Sequence, residues 1–169
     1  ILIDQEGGKV NRLKQFFNTN IFTSEYFGKL YTKDKKKFNR NYNIFINKTS
    51  ELLKTIGVNI NTVPVLDLRV KGSSNIIGNR SFSNNERFVS NIGDICIKNF
   101  HKNKIGTVIK HIPGHGLAKV DSHKATPTVN QSYEHLSKRD FQSFKKKNSY
   151  LAMTAHIIYK DIDPLNTAT

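Results

Sequence analysis

Cysteine occurs once in the 169 residues, at Cys96, so no intramolecular disulfide framework can hold this chain together. A reducing compartment, read as the cytoplasm, fits that usage. Apolar runs are short throughout: none approaches the roughly eighteen residues that a membrane-crossing helix needs, and no membrane partner is expected. Neither an initiator methionine nor a signal peptide is present. The chain opens on "ILIDQEGG", which reads as the inside of a strand, so it is expected to begin downstream of its true start. Acidic residues are scarce, 13 against 27 Lys and Arg, leaving a net charge of +14. Such a surplus can mark a nucleic-acid surface. The lysines, however, sit in helical segments such as "YTKDKKKFNRN" and "FKKKN", among many Asn and Ile, and a compositional bias accounts for them equally well. With no recognisable motif beside them, no nucleic-acid partner is expected. Nucleotide-binding loops are missing too, since "EGGKVNR" satisfies neither GxGxxG nor GK[ST].

What is present is an apolar fraction of 37%, enough for one domain with a core. Four runs read as buried strands: "ILI" (1–3), "INTVPVLDL" (60–68), "IGTVIKHI" (105–112) and "YLAMTAHIIY" (150–159). Between them lie helical patterns. Residues 22–57 predict one or two helices, with Leu30, Phe38, Phe45, Leu52 and Leu53 among the apolar positions, and Gly57 predicts the stop. Residues 84–102 carry Phe88, Ile92, Ile95, Cys96 and Phe100 at near-helical spacing, with Ser83 and Glu86 as a capping box. A shorter, more polar helix is predicted over 131–147. Strand and helix alternating in this way argue for an α/β fold with a parallel sheet, buried on both faces. The polar residues of interest fall at the strand ends, where a (β/α)8 TIM-type barrel or an open doubly wound sheet would place its site. Four strands are about half of a closed barrel, so a partial barrel is expected.

Residues 110–123, "KHIPGHGLAKVDSH", concentrate the chemistry. His111, His115, Asp121 and His123 could be gathered by a loop around a metal, although Pro113 and Gly114 rule out the helical HExxH arrangement. Gly114 and Gly116 could expose backbone N–H groups to a phosphate, but no strand–loop–helix signature continues from them. In "DSH", the Asp121 carboxylate could fix the tautomer of His123 and leave its other nitrogen free to move a proton. On residues alone, a surface histidine beside an aspartate is the favoured reading.

"IDQEGGKVNRL" (3–13), "GVNINTVPVLDL" (57–68), "IGNRSFSNN" (77–85), "KHIPGHG" (110–116), "DSH" (121–123) and "AMTAHIIY" (152–159) occur in the order and near the spacing found in family 3 glycoside hydrolases. Within that family the chain most resembles the bacterial β-N-acetylglucosaminidases of peptidoglycan recycling. The resemblance implies a TIM-type barrel of which about half to two thirds is present, with residues 1–169 forming a partial N-terminal catalytic barrel domain truncated at both ends. It implies His123 as the acid/base on a loop, Asp121 as its partner, and Asp4, Arg80, Lys110 and His111 as residues that bind sugar hydroxyls. Lys9 stands where the family usually has arginine, and a point charge replaces a fork of donors. Lys9, Arg12, Asp67 and His156 are supporting positions. Arg12 is expected to support Glu6 or Asp4, and Arg80 could equally hold a buried ion pair. Asp67 could cap or pair with Arg69, and His156 could be a hydrogen-bonded core residue. Gly7 and Gly8 are expected to form a tight turn.

The implied reaction is retaining hydrolysis of terminal β-linked N-acetylglucosamine, with the cell-wall disaccharide bearing 1,6-anhydro-N-acetylmuramic acid, with or without peptide, as substrate. A related β-glucosidase, a glycosyl phosphorylase, or a basic non-catalytic binding protein are the alternatives. The family's nucleophile, an aspartate in a later Ser-Asp segment, has no counterpart before Thr169, so the chain alone is expected to be inactive. No cofactor and no metal are implied, and the full-length protein is expected to be a monomer.

Overall fold

The structure, a computed structural model, describes residues 1–73, 75–120 and 125–169. The Asp121–His123 pair therefore lies outside the described residues. In chain order the elements are β1 (Leu2–Ile3), β2 (Gln5–Gly7), β3 (Val10–Asn11), α1 (Ser24–Lys33), α2 (Lys35–Thr55), β4 (Ile60–Asn61), α3 (Glu86–Lys102), β5 (Gly106–Ile112), β6 (Thr128–Val129), α4 (Tyr133–Lys138), β7 (Leu151–Thr154) and β8 (Ile158–Tyr159). One sheet carries β1, β4, β5 and β7 in that order. All its pairs are parallel, registered by Leu2 with Ile60, Ile60 with Gly106 and Val108 with Leu151. Strands neighbouring in sequence order with helices between them give the α/β arrangement of part of a (β/α)8 barrel.

Two expected strands are shorter than their apolar runs. In 60–68 regular pairing ends at Asn61, because Pro64 brings no N–H to the ladder, and only Val65 bridges back to Lys110. In 150–159 the run divides: β7 stays in the main sheet, while Ile158 and Tyr159 leave it to pair with β6.

The helical stretch 22–57 is two helices that share Asp34, the C-cap of α1 and the N-cap of α2, whose carboxylate accepts the Lys37 N–H. Phe38, Phe45 and Leu53 face the core as expected, joined by Phe27, Tyr42 and Ile46. Gly57 does end α2: at φ 74° it lets its own N–H reach the Lys54 carbonyl and the Val58 N–H reach that of Leu53, a Schellman closure.

The start of α3 corrects the sequence reading. Asn85 is the N-cap, accepting from Arg87 and Phe88 N–H, while Ser83 Oγ accepts the Asn85 N–H from outside the helix. Beginning there turns Val89, Ile92, Cys96, Ile97 and Phe100 inward and leaves Phe88 at the rim. The helix expected over 131–147 is only α4 and a 3-10 turn at residues 142–144; Arg139 leaves the helical region, so Asp140 turns into the protein.

The core lies between the sheet and α1–α3, and a second cluster of Ala118, Val129, Leu136, Ala155, Ile157 and Tyr159 packs under β6 and β8. At the sheet's two edges Leu2 and Leu151 are exposed. Among the described residues no helix is long and apolar enough to cross a membrane.

The N-cap assignment is testable by chemical denaturation. Asn85→Ala should lower stability by about 1 kcal/mol, and Ser83→Ala by clearly less. Equal losses would return the cap to Ser83.

Candidate active site

The first group of polar side chains sits where β1, β4 and β5 end. Ile3 pairs with Asn61, so Asp4 and Thr62 leave the sheet side by side, and Thr62 Oγ1 donates to Asp4 Oδ1. Lys110 reaches them from β5. Its Nζ lies 2.9 Å from Asp4 Oδ1, 2.9 Å from Thr62 Oγ1 and 2.7 Å from Glu6 Oε1, so the three ammonium protons have three acceptors. Arg80, on the 3-10 turn at residues 78–80, grips Glu6 in a fork, Nε to Oε2 and Nη2 to Oε1, both 2.8 Å.

Lys110 and Glu6 are sealed, at 2% and 3% side-chain exposure, whereas Asp4 is open at 36%. Burial opposes ionisation of Asp4, but the Thr62 hydrogen bond, the bond and charge of Lys110 and the charge of Arg12 hold its pKa down at about 2. In Glu6 burial is likewise overcome, by Arg80 and Lys110, and its carboxyl stays below the usual range. The cluster thus presents one ionised, partly open carboxylate above a neutralised base.

The second group is built on Asp67, which is fully buried. Its Oδ2 is 2.6 Å from His111 Nδ1, and its Oδ1 accepts the His115 N–H at 2.6 Å and the His111 N–H at 3.3 Å. Burial works against the charge, yet the charge and hydrogen bond of His111, then the His115 N–H, keep Asp67 below the ordinary carboxylate range. A carboxylate at that distance assigns the proton to Nδ1, leaving Nε2 for other partners. His115 is pushed down chiefly by burial. Gly116 lies against the Leu68 carbonyl with no room for a side chain, which accounts for that glycine by packing rather than by phosphate binding.

The remaining predicted residues fall at different distances from these groups. Arg12 does support Asp4, 3.7 Å away on an exposed side chain. It is carried there by the β2–β3 hairpin, whose turn Gly7 and Gly8 form and which Gln5 holds by accepting the Arg12 and Leu13 N–H groups. Arg80 fulfils its ion-pair reading. Asp67 does not pair with Arg69: that guanidinium bonds Glu25 of α1 instead. Lys9 is exposed and donates to the Asn75 carbonyl at 2.8 Å, so in this structure it props the 70–80 segment. His156 is exposed and is not a core residue, because the strand it follows is uncovered.

Glu6 joins the cluster beyond the residues expected there, and its spacing of two from Asp4 on an extended chain is the sequence signal for it. Thr62 carried no signal beyond its place at a strand end. Among the described residues no group of three or more His, Cys, Asp or Glu could hold a metal ion. A cavity of about 520 Å³, lined by α1 and by residues of 68–73 and 75–84, contains none of the strand-end carboxylates and is separate from this cluster.

Residues 1–169 match the glycosyl hydrolase family 3 N-terminal domain. The chain belongs to that family. Among curated relatives of the family, a beta-hexosaminidase A from Pseudoalteromonas piscicida is 32% identical over 167 residues, covering 96% of this chain and 27% of the relative. A beta-hexosaminidase from Methylobacillus flagellatus is 28% identical over 166 residues, covering 96% and 47%. Among solved family 3 structures, NagZ from Neisseria gonorrhoeae in complex with N-trifluoroacetyl-D-glucosamine superposes with a TM-score of 0.86 at 28% identity, covering 96% of this chain and 48% of NagZ. A family 3 beta-N-acetylglucosaminidase from Paenibacillus gives 0.85 at 28%, covering 99% and 31%. The chain spans half or less of the length of these proteins.

Lys110→Met should destabilise the protein by about 3–5 kcal/mol at neutral pH, since it leaves Glu6 and Asp4 without their shared cation. Carboxyls held low in the native state contribute stability above the ordinary carboxylate pKa and lose it as pH falls toward about 2. In the variant they take up protons sooner. The gap in urea melts should therefore narrow as pH drops below about 4, and a gap independent of pH would reject the network.

Proposed function

We propose that residues 1–169 are part of the catalytic barrel of a retaining exo-β-N-acetylglucosaminidase. The observation that carries this reading is Asp4: a carboxylate kept ionised, partly open, and fixed by Thr62, Lys110 and Arg12 at the C-terminal ends of parallel strands. Such a group accepts hydrogen bonds from sugar hydroxyls without itself needing a proton. Lys110 and Arg80 hold it and Glu6 in place. His111, its Nδ1 taken by Asp67, offers Nε2 as a second hydroxyl partner. The acetamido sugar is favoured by the names of the relatives, beta-hexosaminidases, and by the N-trifluoroacetyl-D-glucosamine bound to NagZ from Neisseria gonorrhoeae. A cell-wall disaccharide ending in 1,6-anhydro-N-acetylmuramic acid, or its peptide-bearing form, is the substrate we assign.

In this reading His123 gives its proton to the leaving oxygen while a carboxylate forms a bond to the anomeric carbon. Water then attacks that carbon, the glycosyl–carboxylate bond breaks, and His123 takes the water's proton. Imidazole suits the double role, because its reference pKa of about 6.5 lies near neutrality without the upward shift a carboxylic acid would need. Asp121 orients the ring. The attacking carboxylate is neither Asp4 nor Asp67, as the first is tied to Lys110 and Thr62 and the second is buried against His111. We assign it to a residue outside 1–169.

The decisive experiment uses the full-length protein. His123→Ala should lower turnover of an unactivated disaccharide by on the order of 100- to 10,000-fold. Aryl glycosides with good leaving groups should partly escape, and Asp121→Ala should do less harm. Unchanged turnover of the disaccharide by H123A would reject the assignment.

A further inference from the structure

Behind the turn that carries His111 and His115 lies a carboxyl group for which the strand-end chemistry has no use. Asp140 follows α4, is 2% exposed, and among the described residues neither of its carboxyl oxygens has a hydrogen-bond partner. It packs directly on Gly114, where an added Cβ would come within 3.3 Å of Asp140 Cβ. Tyr159 of β8 donates its hydroxyl proton to the carbonyl of the same glycine. Gly114 is thus held between Asp140 and Tyr159, one residue before His115, whose N–H bonds Asp67. The same carboxylate holds His111, so the position of this turn fixes both histidines relative to Asp67.

A carboxylate this deep, with no donor, is far less favourable than the carboxylic acid. The charged and titratable groups that face Asp140 are His135 of α4, Arg139 just after it, Asp67 beyond β4 and the Tyr159 phenol of β8. Arg139 and His135 favour a charge but make no bond to it, and Asp67, itself kept ionised by His111, opposes a second negative group. Burial outweighs both Arg139 and His135 and holds the Asp140 carboxyl above the usual aspartate range.

We propose that Asp140 is a positioning residue, a neutral carboxylic acid that braces the Gly114–Gly116 turn from behind so that His111 and His115 keep their bonds to Asp67. Its bearing on catalysis rests on the sugar-site reading above, whereas the brace itself is a property of the turn. A group whose pKa is raised by folding contributes stability that is complete below its unfolded value and is lost as pH rises through the folded one. Asparagine has nearly the same shape and stays neutral, so Asp140→Asn separates shape from charge, and Asp140→Ala removes both.

Three readouts on the full-length protein, none needing substrate, test this. In carboxyl ¹³C NMR from about pH 4 to about pH 8, the signal missing from D140N should keep its protonated shift after the exposed aspartates have titrated. In ¹H NMR the downfield imidazole N–H resonance of the His111–Asp67 bond should persist in D140N and be shifted or lost in D140A. The stability of D140N relative to the parent should also rise with pH. On substrate, D140N should keep kcat/KM within about threefold, and D140A should lose about tenfold or more, chiefly in kcat. Titration of Asp140 together with the exposed aspartates would overturn the proposal. So would an unaltered His111 resonance in D140A, or, if D140A does not fold, its loss in D140N. Intact NMR behaviour with no activity toward any N-acetylglucosaminide would instead overturn the functional reading and leave the brace standing.

Discussion

The ammonium group of Lys110 is the point on which the site depends. It is buried at the end of β5 and donates to Asp4, Glu6 and Thr62, which come from two separate stretches of chain. Such a cation is tolerated only when every proton is taken and charge is matched. Two of the acceptors are carboxylates, and the second of them needs a further cation, which Arg80 supplies. The sequence of requirements brings β1, the β2–β3 hairpin, β4, β5 and the 3-10 turn at residues 78–80 to one place. If any of these shifts by a residue, a charge is stranded. The parallel register that sets Asp4 beside Thr62 is therefore as much a part of the site as the side chains themselves.

The same strand end also serves Asp67. Lys110 and His111 are consecutive, and on a regular strand they would face opposite ways. The ladder slips between Lys110 and Ile112 at this point, and Lys110 and His111 both reach strand-end carboxylates, on different sides. Pro64 interrupts the neighbouring strand at the same level, so Asp67 arrives on irregular backbone and its Oδ1 accepts the His111 and His115 N–H groups. The site is thus made where the sheet stops being regular.

Much of this was legible from the residues. Apolar runs placed the four strands of the main sheet, two of them longer than the pairing allows, and Asp4, Asp67 and Lys110 with His111 fall where polar groups gather at the strand ends, whereas His156 does not. Gly57 announced a helix end because its left-handed backbone is one that other residues rarely adopt. The resemblance of "IDQEGGKVNRL" and "KHIPGHG" to family 3 drew Asp4, Lys110 and His111 into one site. What could not be read was partner choice. Arg69 is two residues from Asp67 in sequence, but α1 offers it Glu25. Ser83 and Asn85 are both good caps, and only the packing of Val89 and Ile92 decides between them. Asp140, in the polar string "SKRDFQSFKKK", looks like a surface residue; its burial follows from a helix that ends at Lys138 rather than running on. Propensity cannot see that end, because it is set by how the segment meets the 111–118 turn.

Four carboxyls in one region have been given opposite fates by their surroundings. Asp4, Glu6 and Asp67 are held ionised against burial because lysine, arginine, histidine or backbone N–H groups reach them. Asp140, buried as deeply as Glu6 and Asp67, has no donor among the described residues and is driven the other way. Acid removes the charges that tie the strand ends together, and base places a charge where nothing can receive it. The fold is consistent with itself only between these limits. An imidazole gives and takes a proton near neutrality, well above the pH of about 2 at which Asp4 loses its charge. A proton shuttle built on histidine therefore works where the carboxyls that tie the strand ends together are charged, which joins the chemistry of the site to the electrostatics that fold it.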